Sequence, residues 1–351
     1  MTRFSLEFPT AWGQPVGTAK LKQQPEDFQV IEVLPETPQG DGEHLWLTLE
    51  KTGQNTLWIA RKLAQWAGIP QRAVSYAGLK DRHGVTRQTF SLHLLNQDAP
   101  ESPFDLEGVI ELARCRHGRK LRTGQLIGNQ FRIRLRDYDG DPLAFEQRWQ
   151  CLVDGGFPNY FGLQRFGHNG ANLDRAERWL GGSLKLPRPQ QGLHLSAMRS
   201  WLFNAQLARR VEQGNWNQLL PGDFAQFREG RGGFWCQEDD LADARVASGA
   251  LSPTASLPGD ARDGSVEFMA RETEALAEHR DMVEALQAKR VDRTLRKLRV
   301  FPEQAQLAWE GTDPIMSFFL PAGSYATALL FECVTVTEPL YQSRQAQTEE
   351  D

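Results

Sequence analysis

Strand-like alternation occupies both ends of this chain and helical periodicity fills its middle, an order that constrains the fold more than any single motif. In KLKQQPEDFQVIEVL, residues 20–34, Phe28, Val30 and Glu32 share a face once the chain extends beyond Pro25. Leu45, Leu47 and Leu49 alternate in HLWLTLEK, and Phe90, Leu92 and Leu94 alternate in QTFSLHLL. Residues 109–115 read as a further strand, and Phe131, Ile133 and Leu135 mark another after Gly128 and Asn129. Asn55 or Thr56 caps a helix through Ala67, stopped by Gly68 and Pro70, and Asp141 with Pro142 opens one to about Val153. Amphipathic stretches follow at 172–180, at 196–213 behind Ser196, and from about Val266 to Arg290, while 252–264 reads as a plain loop. Alternation returns in LRKLRV, AQLAWE and IMSFFLP, before a last helix in GSYATALLFECV. The simplest arrangement is a discontinuous sheet domain, residues 1–155 and 304–340, carrying an α/β insertion over 156–303. Two domains in plain succession are the alternative. The polar tail 341–351 is expected to be disordered.

Length and composition limit the function classes. A chain of 351 residues, 40% apolar and 24% charged, fits a soluble globular protein of two domains. No apolar run reaches the length of a membrane span, and the N-terminus lacks the apolar core of a signal peptide. Cys115, Cys151, Cys236 and Cys333 stand far apart, which fits reduced thiols better than a zinc site or a disulfide framework. A cytoplasmic monomer without an obligate protein partner is the expectation. The net charge of −5 argues weakly against a nucleic-acid ligand, but the distribution matters more than the sum. Arg114, Arg116, Arg119, Lys120 and Arg122 crowd one run with no acid between them. Lys289, Arg290, Arg293, Arg296, Lys297 and Arg299 crowd a second with only Asp292. One such run is ordinarily a solvated face; two in an acidic protein favour a phosphate-binding surface.

The chemistry is narrowed by elimination. No Walker A loop, strand-linked GxGxxG, HExxH or GxSxG occurs, and the seven histidines show no ligand spacing. No metal or cofactor is therefore expected. What stands out is the loop of SYAGLKDRHGVTRQTF, residues 75–90, where Asp81 lies among Lys80, Arg82, His83 and Arg87. A carboxylate held among cations stays ionised and suits a nucleophile or an electrostatic anchor. Asp and Gly are also ordinary turn residues, so the loop taken alone fits a hairpin turn as well. Lys22 beside PEDF, GNQF at 128–131 and GFPNYFGLQRFG are further polar-aromatic clusters. Asn129 can orient a carboxylate and Phe131 offers a flat face for a base.

In this order, LKQQPEDFQVIE, GEHLWLTLEKTGQNT, YAGLKDRHGVTRQ, GNQF, FPNYFGLQRFG, LSAMRSWLFN and LPAGSYATALL resemble the TruD family of pseudouridine synthases, over most of residues 16–333. The resemblance implies an α+β fold: a pseudouridine synthase core with a mixed, mostly antiparallel sheet and flanking helices, plus an inserted α/β TRUD domain. It implies isomerisation of uridine to pseudouridine in tRNA, at position 13 in the D-stem region, after base flipping and without a cofactor. Asp81 would be the catalytic aspartate, Asn129 its hydrogen-bonding partner, Phe131 the ring under the base and Lys22 the neighbouring cation. Arg165 joins both basic runs as a candidate RNA contact. Gly84 stands where the family often has alanine. An RNA-binding protein without activity and an RNA glycosidase are the competing classes.

Overall fold

The alternating segments pair into one large sheet. The computed structural model describes residues 3–230, 232–260 and 264–339, so the expectation for the tail lies outside the described residues. The sheet contains β1 (Phe28–Val33), β2 (His44–Thr52), β3 (Val74–Tyr76), β4 (Val85–His93), β5 (Val109–His117), β6 (Gly128–Arg134), β7 (Glu303–Glu310) and β8 (Asp313–Pro321). Its order is β7-β8-β6-β1-β4-β2-β5, with the short β3 added to β4. Only the β1–β4 pair is parallel, which makes the sheet mixed and mostly antiparallel, as the resemblance implied. Helix α1 (Thr56–Trp66) lies on one face, where Ile59 and Leu63 join Leu45, Leu47, Leu49, Phe90 and Leu92 in a buried cluster. Asn55 starts this helix by accepting the Leu57 N–H at 2.7 Å.

The parallel pair decides where the chemistry can be. Gln29 stands opposite Val85, so the segment before β1 and the loop before β4 emerge at the same end of the sheet. The approach is tight: a Cβ on Gly84 would come within 2.5 Å of the Phe28 carbonyl oxygen. Alanine at this position would therefore require the backbone to move. A small sheet orders Thr335–Thr337, Gly17–Lys20 and Arg136–Gly140, and the Leu21 N–H continues it to the Thr337 carbonyl at 2.9 Å. It fixes the entry into Lys22.

The chain forms two compact units. One comprises Gly17–Pro142, Glu303–Gly323 and the segment from Val334; the other comprises the chain up to Val16, Leu143–Pro302 and Ser324–Cys333. These cuts differ from the sequence bounds in three places: residues up to 16, the helix Pro142–Gly155 and the helix Ala326–Cys333 pack with the inserted segment. Polar ties explain it. Buried Glu332 accepts the N–H groups of Ala11 and Trp12, the Trp12 indole donates to Gly156, and the Tyr160 hydroxyl donates to Pro9.

Within this unit the 196–213 helix begins earlier, at Arg188, with proline in its first turn. The loop expected at 252–264 contains strands Leu251–Ser252 and Thr254–Leu257 instead, the latter antiparallel to Thr294–Lys297. Ser252, Thr254 and Ser256 are all buried, so polar composition concealed an interior strand. The long helical pattern from Val266 is broken at Leu276, which leaves helical geometry (φ −109°, ψ 19°) between Val266–Ala275 and Arg280–Ala288. Among the described residues no helix is long and apolar enough to cross a membrane.

Candidate active site

Lys22 and Asp81 meet at the end of the sheet set by the parallel pair. Lys22 adopts the left-handed backbone region (φ 58°), costly for a residue with a long side chain, and is 1% exposed. Its ammonium donates to Asp81 Oδ2 at 2.7 Å, stands 3.6 Å from Glu338 Oε1 and lies 4.6 Å from the centroid of Phe28. The other carboxylate oxygen, Asp81 Oδ1, accepts the His83 N–H at 3.0 Å.

The loop around Asp81 is pinned at successive residues. Lys51 donates to the main-chain carbonyls of Asp81 and Gln54, both at 2.8 Å. The Lys80 N–H reaches Thr56 Oγ1 at 3.1 Å, Gln88 holds the Gly78 carbonyl, and Arg82 Nε reaches the Gly53 carbonyl at 3.1 Å. The Lys80 ammonium sits between Glu32 Oε1 at 3.0 Å and Asn129 Oδ1 at 2.9 Å.

These contacts set the protonation states. Burial pushes the Asp81 carboxyl up, but the charge and hydrogen bond of Lys22, with the His83 amide, outweigh it and hold the group below its ordinary value. Burial pulls Lys51 down to about 8; Asp81 opposes this and Lys80 adds to it. His83 is likewise lowered by burial against the pull of Asp81. The Asp81 side chain keeps 21% of its surface exposed. The arrangement therefore offers an ionised, oriented carboxylate within reach of a ligand.

The expected site residues are placed unequally. Asn129 on β6 is bonded to Lys80 rather than to Asp81, so it reaches the carboxylate's loop through a lysine. Phe131, two residues on, is 7% exposed, stacked on Phe318 at 5.4 Å and edge-on to Phe28 at 6.2 Å. Lys51 was not foreseen. Its signal was available, because it continues the inward parity of Leu45, Leu47 and Leu49 along β2.

The first basic run splits in two. Arg114 is tied to Glu111 and to the Pro100 carbonyl, and Arg116 to the Gln97 carbonyl, so both brace loops. Arg119, Lys120 and Arg122 are exposed and, with His44, Thr123 and Gln125, line an open cavity of about 790 Å³. The segment is anchored beside the Asp81 loop by the Gly124 N–H to the Ala77 carbonyl at 2.6 Å. The second run is similarly divided. Lys289 and Arg290 are exposed, whereas Arg293 is turned inward against Glu272 at 3.5 Å, and Arg165 donates to the hydroxyls of Ser200 and Tyr325. Among the described residues no group of three or more His, Cys, Asp or Glu could hold a metal ion.

On this mixed sheet an ionised aspartate paired with a buried lysine forms the candidate site, and comparison with known proteins gives the family. The family profile for tRNA pseudouridine synthase D (TruD) matches residues 10–173 and 171–333. The tRNA pseudouridine synthase D of Hydrogenovibrio crunogenus is 40% identical over 94% of this chain and 96% of its own length. That of Proteus mirabilis is 41% identical over 92% and 93% respectively. A solved TruD structure from Methanosarcina mazei shares the fold, with a TM-score of 0.69 over 95% of each chain at 21% identity. The chain belongs to the TruD family.

Proposed function

We propose that this chain converts uridine to pseudouridine in tRNA, at position 13 in the D-stem region, with Asp81 as the catalytic group. The observation that carries the proposal is the Lys22–Asp81 pair: a left-handed, buried lysine holds one oxygen of a carboxylate whose loop is fixed by Lys51 and Lys80. A turn residue needs no such clamp, and a carboxylate kept ionised suits bond exchange at a sugar carbon. In the reaction the bond from N1 to the sugar breaks, the base turns, C5 bonds to the same carbon, and the C5 proton is released as N1 takes one up. A stacked uridine cannot reach Asp81 inside RNA, so the nucleotide is flipped out. Exposed Arg119, Lys120 and Arg122 bind flanking phosphates, with Lys289 and Arg290 as further contacts. Phe131 supports the base through the face turned away from Phe318. The residues from 156 to 303 supply the TRUD domain.

The test is product analysis of a tRNA transcript with wild type and Asp81→Asn. The expected result is pseudouridine at one site with wild type, none with the variant, and tRNA bound by both. Free uracil from wild type would make the protein a glycosidase; binding without any product would make it an inert RNA-binding protein. Substantial pseudouridine from the purified variant would remove Asp81 from the chemistry.

A further inference from the structure

The unit containing Leu143–Pro302 uses its buried and half-buried arginines in different ways. Arg210 and Arg293 face carboxylates, Asp223 at 3.1 Å and Glu272 at 3.5 Å. Arg199 and Arg299 give their N–H groups to main-chain carbonyls and so fasten loops. Arg165 and Arg296 form a third arrangement. Their guanidinium carbons lie 4.9 and 4.0 Å from the centroid of a single ring, Phe161, and neither has a carboxylate partner among the described residues. Arg296 donates to the Asn159 side-chain oxygen at 2.6 Å and to its carbonyl at 3.1 Å. Burial pulls Arg296 down to about 9; Tyr325 opposes this, and the charge of Arg165 adds to it.

The hydroxyls around Arg165 point to what is missing. Arg165 donates to Ser200 at 2.7 Å, to Tyr325 at 3.0 Å and to Ser196. A hydroxyl that accepts from a guanidinium turns its own hydrogen elsewhere. None of these three has an acceptor for that hydrogen among the described residues, although Ser200 is only 1% exposed. A buried donor left in this state is unfavourable. The ring beneath the arginines is rigid: the Phe161 N–H donates to Asn204 Oδ1 at 2.8 Å, and its carbonyl accepts from Asn204 Nδ2 at 3.1 Å. Cations without a carboxylate partner and hydroxyl hydrogens without an acceptor among the described residues, gathered at a fixed ring, form a donor set for an oxyanion.

We propose that Arg165, Arg296, Ser196, Ser200 and Tyr325 bind one phosphate of the RNA backbone. The identity of the ligand rests on the RNA-acting reading above; the site itself rests on the cations and the donors. The experiment measures binding of a tRNA transcript across a salt series for wild type, Arg296→Met and Tyr325→Phe. Arg296→Met is expected to reduce the magnitude of the log–log salt slope by roughly 0.7, and Tyr325→Phe to weaken binding a few-fold with the slope unchanged. A folded Arg296→Met protein with wild-type slope and affinity overturns the site. If that variant does not fold, wild-type affinity in Tyr325→Phe overturns it. If wild type binds no tRNA, the RNA reading fails on its own, and inorganic phosphate decides. A rise in melting temperature over chloride at equal ionic strength, lost in Tyr325→Phe, keeps the site; no rise overturns it.

Discussion

Around Asp81 the lysines that reach the loop all find acceptors: Lys22 the carboxylate, Lys51 two carbonyls, Lys80 a glutamate and an asparagine. Along residues 118–125 the cations stand in solvent, with the Arg119 side chain 77% exposed and its guanidinium 3.5 Å from Glu36. Both regions are basic in sequence, yet one spends its charge internally and the other presents it outward. Under the proposed function, the difference separates chemistry from binding. A catalytic carboxylate needs its charge fixed before the ligand arrives, whereas a phosphate surface needs charge that the protein has not already satisfied.

The comparison breaks most severely if the internal pairing is removed. Lys22→Met leaves Asp81 buried without its cation, a change that typically costs about 3–5 kcal/mol for a fully buried pair and less here, because Asp81 keeps some exposure. Activity should fall by about 10²-fold or more, and the variant should lose stability in urea titration. The pH dependence has a definite sign. Asp81 is held below its unfolded value of 3.8, so the pair's contribution is present above that pH and disappears as pH falls through the depressed value. Wild type should lose this increment on acidification, and Lys22→Met should lack that part of the curve. Identical acid titrations for the two proteins would show that the pair is not formed in solution.

The outward region gives the next largest effect. Replacing Arg119, Lys120 and Arg122 together by glutamine should leave stability within about 0.5 kcal/mol, as surface substitutions commonly do. Binding of a tRNA transcript should weaken, and its salt slope should shrink by roughly 0.7 for each phosphate that is no longer neutralised. Replacing Arg116 should do the opposite, loosening the Gln97 loop with little change in slope. A full-sized slope in the triple variant would turn this cavity into an ordinary solvated face.

Much of this contrast was legible in the sequence, and its limits have physical causes. The strands of the large sheet were visible where apolar residues alternate, as at Leu45, Leu47 and Leu49, and the Asp81 loop stood out because it concentrates charge between two strands, although by itself it fits a turn as well. The partnership of Asn129 with Lys80 was not visible, since it depends on the register of β6 against β1, where Asn129 stands opposite Glu32. Strand Thr254–Leu257 was missed because its buried positions are Ser, Thr and Ala, residues that also make loops. The assignment of the chain start to the helical unit depends on Glu332, more than three hundred residues away in sequence.

The finest version of the comparison lies within the second basic run, where Arg290 and Arg293 are indistinguishable by composition. Arg290 is exposed and takes a left-handed backbone (φ 53°) just beyond the Arg280–Ala288 helix. Arg293 has a side chain 4% exposed, paired with Glu272 and lying over the Phe268 ring at 5.5 Å. Burial already pushes the Glu272 carboxyl up against the pull of Arg293, so deleting the arginine should leave that carboxyl protonated rather than charged. Arg293→Met should therefore lower the melting temperature measurably, by an amount equivalent to about 1–3 kcal/mol, while tRNA binding keeps its salt slope. Arg290→Gln should show the reverse, unchanged melting and a slope smaller by roughly 0.7. Calorimetry and a salt titration on the same two preparations settle the matter, because the two variants remove the same charge from the same run. If both variants lowered the slope equally, charge count alone would govern binding, and the distinction between inward and outward cations would have no functional meaning here.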